Sequence, residues 1–258
     1  MIEVQPAQVT AALSSLFDTA GPTAIRCLAV LAGGNAGKIL TDDLNHPAWG
    51  IVWEADDGCT YLGGALDSQV VDSAIAILRQ DGNVLFGFRD GDLLRDLFPP
   101  NPDLAARALE FDRSLDTAAL DPYLDRLLAG HELQRMDRAL LEASPHHAAT
   151  ISRYGSVQSL LETGVAVSLM RGHEILSEAY ADISVNGVRE IGVTTQEAHR
   201  GQGFATITCA HLIRICAQVG DRAYWDCAKR NPASAAVARK LGFENEREYQ
   251  LIAWFKSD

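Results

Sequence analysis

Cations are scarce in this chain: 22 Lys and Arg stand against 34 Asp and Glu, a formal charge of −12 over 258 residues. Binding to a phosphate backbone draws on clustered cations, so nucleic acid is a poor partner. A negative surface instead concentrates positively charged partners around it. No apolar run approaches the roughly 18–20 residues that cross a bilayer, and no membrane partner is expected. The opening MIEVQPAQVTAAL has neither the basic flank nor the long apolar stretch of a secretory signal. A cytoplasmic protein is the expectation. The cysteines, Cys27, Cys59, Cys209, Cys216 and Cys227, are odd in number and form no CxxC pair. That excludes a zinc ribbon and a thioredoxin-type dithiol and suits unbridged, buried thiols in a reducing compartment. His146-His147 has no third ligand at metal-site spacing, so no metal is expected. No GxSxG elbow is present, which removes the commonest hydrolase signature. Gly33-Gly-Asn-Ala-Gly37-Lys38 fails as a phosphate loop, with Ala32 in place of the first Gly and Ile39 in place of the Ser/Thr.

What is present is an ordinary globular balance, 47% apolar and 22% charged, in a length that fits one large domain or two modest ones. Apolar spacing predicts a helix over Pro6–Ala20, stopped by Gly21-Pro22. Strands are expected at Cys27–Ala32, Gly50–Glu54 and Thr60–Leu66, a helix at Ser68–Gln80 and a strand at Asn83–Phe88. Three prolines mark a break over Gly91–Asp103, and short mixed pieces follow to about Glu142. The Ser144-Pro-His-His stretch sets a domain boundary, giving domains at 1–143 and 144–258. Beyond it the pattern predicts a helix at Ser156–Glu162 and antiparallel strands at Val165–Met170, Glu174–Ser184 and Val188–Thr195. Asn186-Gly187 between apolar runs is a hairpin signal. A helix at Phe204–Val219, a strand at Arg222–Cys227, a helix at Asn231–Leu241 and a strand at Glu248–Phe255 complete the chain. No internal repeat or low-complexity tract is visible.

The chemistry sits in Val193-Thr-Thr-Gln-Glu-Ala-His-Arg-Gly-Gln-Gly-Phe-Ala-Thr206. A strand ends near Thr195, a polar loop follows, and Arg200-Gly201-Gln202-Gly203-Phe204-Ala205 opens a helix. Small residues at 201, 203 and 205 let a ligand approach the backbone. The free amides of a first helical turn carry the positive end of the helix dipole, so a diphosphate can accept several of their hydrogen bonds at once. Arg200 adds a cation at the rim. Downstream, Asn231-Pro-Ala-Ser234 opens a second helix with a good N-cap and a proline at its first position, and Gly242 closes it.

Arg200-Gly-Gln-Gly203-Phe-Ala205 resembles motif A (R/Q-x-x-G-x-G/A) of the GCN5-related N-acetyltransferases, and Asn231–Phe243 resembles their motif B. Residues 145–258 carry this resemblance. A looser likeness to the two-domain, zwittermicin-resistance-type acetyltransferases rests on GGNAGKILTDDLNHPAWGIVWE and on Tyr224-Trp-Asp-Cys-Ala-Lys-Arg. The resemblance implies an α+β fold: a C-terminal mixed, mostly antiparallel sheet flanked by helices, preceded by a smaller N-terminal α/β domain. It implies acetyl-CoA as co-substrate, a small-molecule amine as acceptor, and coenzyme contacts from Val193, Thr195, Arg200, Gly201, Gln202, Gly203, Phe204, Ala205, Thr206, Asn231 and Ser234. Gly192 is expected at a bulge that helps two strands diverge, leaving backbone groups to pair with the pantetheine arm.

An amine attacks a thioester only as its free base. Glu190, on the strand that carries the acetyl group in this family, is the first candidate base and Glu178 the second. The backbone N–H of Val193 would steady the thioester oxygen. Many family members have a Tyr seven residues after the motif B Asn as general acid; this chain has Ala238. Ser234 becomes the candidate donor to the departing thiolate, with Tyr249 and Tyr224 behind it. Asp226 reads as a structural Asp or as a contact for a cationic substrate. The expected function is acetylation of a primary amine on a small cationic, antibiotic-like molecule by direct attack in a ternary complex. A non-catalytic acyl-CoA sensor and a protein or peptide amine acetyltransferase are the alternatives. A homodimer through C-terminal strands is compatible with either.

Overall fold

The turn residues expected from sequence do set the chain path. Asn186 and Gly187 both adopt positive φ, 51° and 71°, and Val185 and Val188 exchange backbone hydrogen bonds of 2.9 and 3.0 Å across them. This is the two-residue hairpin geometry that Asn-Gly favours. The computed structural model describes residues 1–18, 21–98, 104–148, 156–181 and 184–256. Numbered in chain order, the strands are β1 (Ile2–Val4), β2 (Gly37–Thr41), β3 (Trp49–Glu54), β4 (Cys59–Gly64), β5 (Val84–Phe88) and β6 (Leu104–Asp112). They continue as β7 (His131–Arg135), β8 (Val165–Arg171), β9 (Glu174–Ala181), β10 (Val188–Thr195), β11 (Arg222–Ala228) and β12 (Glu244–Trp254).

The chain divides into two compact units, Met1–Ala108 with Glu248–Asp258, and Leu109–Arg247. The sequence break placed at 143/144 falls inside the second unit. β7 lies before that break, yet it pairs with β8 from His131↔Arg171 to Arg135↔Val167.

In the first unit β1 to β4 form an antiparallel run, and β5 joins β4 in parallel at Cys59↔Leu85 and Thr60↔Phe86. The end of β12 pairs antiparallel with β5 over Gln250–Trp254. The helix Ser68–Leu78 buries Val71, Ala74, Ile75 and Leu78 against Trp49, Ile51, Phe86 and Trp254. Cys27–Ala32, expected as a strand, lies instead in the helix Ala24–Leu31. Its apolar residues also fit helical spacing, with Ala24, Cys27 and Val30 buried on one face, and a short apolar run does not decide between the two periods. The single helix expected over Pro6–Ala20 is likewise replaced by a 3-10 turn, Pro6–Gln8, and a short helix, Ala11–Ser14, capped by the Thr10 hydroxyl. A separate cap at Thr10 starts a new helix there. Residues 19–20 of that expectation lie outside the described residues.

The second unit has the mixed, mostly antiparallel sheet flanked by helices that the resemblance implied. β7 to β10 run antiparallel and β11 joins β10 in parallel. The helix Phe204–Gln218 is apolar on most of its surface: Ile207, Cys209, Ala210, Leu212, Ile213 and Cys216 are all buried, packed against Val167, Ala179, Ile191 and Trp225. Each such aliphatic side chain contributes roughly 1.5–3 kcal/mol on burial, so the start of this helix is held firmly beside β10. All five cysteines are buried and unbridged. Among the described residues, no helix is long and apolar enough to cross a membrane, and no group of three His, Cys, Asp or Glu could hold a metal ion.

Candidate functional site

A parallel strand pair that stops pairing partway leaves backbone donors and acceptors facing a gap. β10 and β11 are joined at Val188↔Arg222, Arg189↔Ala223 and Glu190↔Tyr224, and both strands continue beyond these rungs, to Thr195 and Ala228. A cleft of about 650 Å³ opens there, with Val193, Thr194 and Thr195 along one wall. The bulge expected at Gly192 is not what opens it. Ile191 to Thr195 pair with β9 in unbroken register, and the register shift in this part of the sheet lies between Leu169 and Met170. The gap follows from the end of the β10–β11 ladder itself.

The second wall is the entrance to the helix Phe204–Gln218. Gly203 is its N-cap, with φ 86° and no side-chain hydrogen bond to the first turn. Gly201 has φ 78°. A Cβ at either position would meet no atom within 4 Å, so these glycines border open space. Their conformation is the left-handed one that other L residues adopt at a cost. Thr206 N–H donates to the Gly203 carbonyl at 3.1 Å, while the Phe204 and Ala205 amides ahead of it have no intrahelical acceptor and no side-chain cap, so they are available to an anion. Arg200 and Lys240 line the same cleft beside His199, giving it two cations in a chain that is acidic overall. Arg200 is steadied by its Nε–H donating to the Thr195 carbonyl at 3.3 Å, and His199 Nε2 lies 2.8 Å from Glu174 Oε1. His199 and Arg171 together hold the Glu174 carboxyl below its ordinary range.

The helix Pro232–Lys240 supplies the rest. Asn231 and Ser234 line the cleft. Asn231 Oδ1 accepts the Ser234 N–H at 3.2 Å, so the carboxamide oxygen caps the helix, and what remains to offer a ligand is the NH₂. Ser234 Oγ accepts the Trp225 indole N–H at 3.0 Å. The indole, 1% exposed, thereby fixes the hydroxyl. Ala238 is buried in the core at 0% exposure, away from the lining.

All the expected coenzyme contacts border this cleft except Gln202; Val193, Thr195, Arg200, Gly201, Gly203, Phe204, Ala205, Thr206, Asn231 and Ser234 are brought together. Sequence reasoning missed Thr194, Ala233, Ala236, Val237 and Lys240 as lining residues. Positions 233, 236, 237 and 240 fall on one helical face, a spacing that could have found them.

The acid–base candidates are placed differently. Glu190 is buried at the last β10–β11 rung, opposite Tyr224, just before the cleft wall begins at Val193. The Tyr224 hydroxyl donates to Glu110 Oε2 at 2.7 Å, and Arg247 Nε donates to Glu110 Oε1 at 3.1 Å. Burial first, then the nearby Asp226, Glu110 and Glu190, push the Tyr224 hydroxyl well above its ordinary pKa, which makes it a reluctant acid. Glu178 is buried, with Oε1 lacking a hydrogen-bond partner. Burial raises its pKa, offset in part by the Ser144 hydroxyl and His146. None of Glu190, Glu178 and Tyr224 lines the cleft, and Tyr249 lies on β12 in the first unit.

Comparison with known proteins agrees with this geometry. The chain matches the family model described as GNAT acetyltransferase over residues 14–252. It is 29% identical over 128 residues to the uncharacterized N-acetyltransferase YdfB of Bacillus subtilis (strain 168), a match spanning 49% of each chain. The alignment thus covers about half the length of this curated relative. In fold it is similar to a GCN5-related N-acetyltransferase-like protein from Streptococcus suis 89/1591, with TM-score 0.72 and 21% identity over 98% of this chain and 100% of that one. A tandem GNAT protein from the clavulanic acid biosynthesis pathway is similar at TM-score 0.61 and 11% identity, covering 98% of this chain and 95% of that one. With the model matched over nearly the whole length, the chain belongs to the GNAT acetyltransferase family.

Proposed function

We propose that this protein transfers an acetyl group from acetyl-CoA to a primary amine of a small cationic molecule, by direct attack within a ternary complex. The observation that carries this reading is the uncapped helix entrance at Gly203, which opens into a cleft already lined by Arg200 and Lys240. The first-turn amides would bind the coenzyme's diphosphate. The exposed edge of Val193–Thr195 would pair with the amide-rich pantetheine arm, and the Val193 N–H would meet the thioester oxygen as charge develops there. Glu190 would take the proton that the acceptor must lose before attack. Ser234 would give a proton to the departing thiolate, in place of the family tyrosine whose position Ala238 occupies. The Trp225 indole donates to Ser234 Oγ and Ser234 shares a side-chain hydrogen bond with Cys227, so the hydroxyl is held in place.

The acidic balance of the chain supports a cationic acceptor. The test is incubation with acetyl-CoA and a panel of aliphatic polyamines, aminoglycoside-type amines and peptides, read by mass and by thiol release. Acetylated polyamine or aminoglycoside is the expected result. Modification of peptides alone would overturn the acceptor assignment, and tight coenzyme binding with a silent panel would replace the enzyme with a sensor.

A further inference from the structure

The two units follow one chain path, although no repeat is visible in the sequence. The shared path opens with a strand and short helices, from β1 in the first unit and from β7 in the second. Three antiparallel strands follow, then a helix, then a strand returning in parallel to the third: β2, β3, β4 and β5 around Ser68–Leu78, and β8, β9, β10 and β11 around Phe204–Gln218. In both, the parallel pair holds only over its opening rungs. In the first unit a cavity of about 240 Å³ borders that opening, lined by Thr60, Tyr61 and Leu62 from β4 and by Phe86 and Gly87 from β5. It occupies the same place in its unit as the coenzyme cleft does in the other.

The anion-binding entrance is not duplicated. β4 passes into its helix through Ala65–Asp67, and the Asp67 carboxylate accepts the Val70 N–H at 2.9 Å. A negative charge and an occupied donor therefore stand where Gly203 leaves both open, and a diphosphate is disfavoured. The cavity offers different chemistry. Phe86 and Phe98, with ring centroids 4.5 Å apart, and Tyr61 form apolar walls. Asp18 Oδ1 accepts the Tyr61 hydroxyl at 2.5 Å and the Gly21 N–H at 3.2 Å. A turn closed by Asp92 N–H to the Arg89 carbonyl, 3.1 Å, brings Arg89 and Asp92 to the same cavity. Asp18, Arg89 and Asp92 all have partners within the protein, so their charges are held in place rather than swinging in solvent.

We propose that this cavity is a second ligand site, for a small molecule carrying a primary ammonium and an aromatic or branched apolar arm. The ammonium meets Asp18 and Asp92, and the arm packs against Tyr61, Phe86 and Phe98. An α-amino acid and the corresponding simple amine share this chemistry; only the amino acid adds a carboxylate for Arg89. The site does not depend on the coenzyme reading of the second unit.

Calorimetric titration of the full chain with L-phenylalanine, L-leucine, 2-phenylethylamine and isoamylamine tests it. At least one series is expected to bind saturably, to bind equally well in Gly203→Val, and to weaken by about 10-fold or more in Asp18→Asn through loss of a charge-assisted hydrogen bond. Asp92→Asn gives the same reading should Asp18→Asn disturb Tyr61. If the ligand is an amino acid, Arg89→Gln weakens it and Arg89→Lys restores it; if a simple amine, Arg89→Gln leaves it unchanged. Absence of binding by both series, loss of binding in Gly203→Val, or indifference to both Asp variants overturns the proposal. Failure of the coenzyme reading appears separately, as wild-type protein giving no heat with coenzyme A.

Discussion

The helix that follows β10 and the one that follows β4 sit at the same point of the same chain path, yet only one presents free amides. At Gly203 the chain turns with positive φ and no side chain. At Asp67 it enters in extended conformation and spends its own carboxylate on the Val70 N–H. The contrast teaches that a helix dipole makes an anion site only where the local sequence declines to satisfy it. The difference lies in a few residues: an eight-residue loop, 196–203, carries two glycines in left-handed conformation in one unit, and Ala65–Asp67 makes the same connection in the other.

That contrast can be broken most forcefully by giving the second unit the first unit's entrance. Gly203→Asp places a carboxylate against the diphosphate and strains the backbone. Coenzyme A affinity is expected to fall by about 100-fold or more, roughly 2.7 kcal/mol, and calorimetry showing unchanged affinity would remove the diphosphate from this place. Next in size is the proton donor. Ser234→Ala is expected to lower kcat by about 10-fold with little change in KM. The loss should shrink for acetyl donors whose thiols are more acidic, because a better leaving group needs less help. Trp225→Phe should give a weaker version of the same pattern, since it removes a hydrogen bond worth about 1 kcal/mol. Glu190→Gln is expected to cut turnover mainly on the acidic side, where the acceptor is held as ammonium; a pH–rate curve identical to wild type would strike Glu190 from the mechanism.

Two smaller effects sharpen the comparison from the other side. Asp67→Ala removes a helix cap and should cost about 1 kcal/mol of stability in denaturant unfolding, without giving the first unit any coenzyme affinity. Capture of coenzyme A by that variant after Gly203→Asp would show that capping alone separates the two entrances. Glu178 has a folded pKa raised by burial. Its folded form therefore favours the proton, and its contribution to stability is present below the ordinary glutamate value and lost as pH rises through the raised one. Glu178→Gln should accordingly gain stability relative to wild type as pH rises from 4 to 8, measured as a widening gap in melting temperature.

The cleft beside Gly203 was largely legible in the sequence because exposed backbone borders it, and backbone exposure is written in glycines. Gly201, Gly203 and the Asn231-Pro232 start could be read without knowing what packs around them. The helix Ala24–Leu31 was not legible, since its apolar residues satisfy strand and helix spacing alike and tertiary packing decides. Nor could Gly192 be read correctly: a glycine in a strand suggests a bulge, but whether two strands keep pairing depends on what lies between them. The duplicated chain path was hidden for a related reason. Burial preserves the order of strands and helices while leaving almost every side chain free to change, provided it stays apolar where it faces inward.

β12 has a consequence for how the chain comes into being. Gln250–Trp254 supplies the strand beside β5, so the first unit to emerge from the ribosome waits for residues made more than 150 positions later. Until then β5 offers a bare ladder to any passing strand, and the nascent N-terminal half is exposed to aggregation throughout synthesis of the second unit. A deletion of 250–254 would therefore be felt in the first unit, and separating the units for expression requires grafting 248–258 behind residue 108 rather than a single cut.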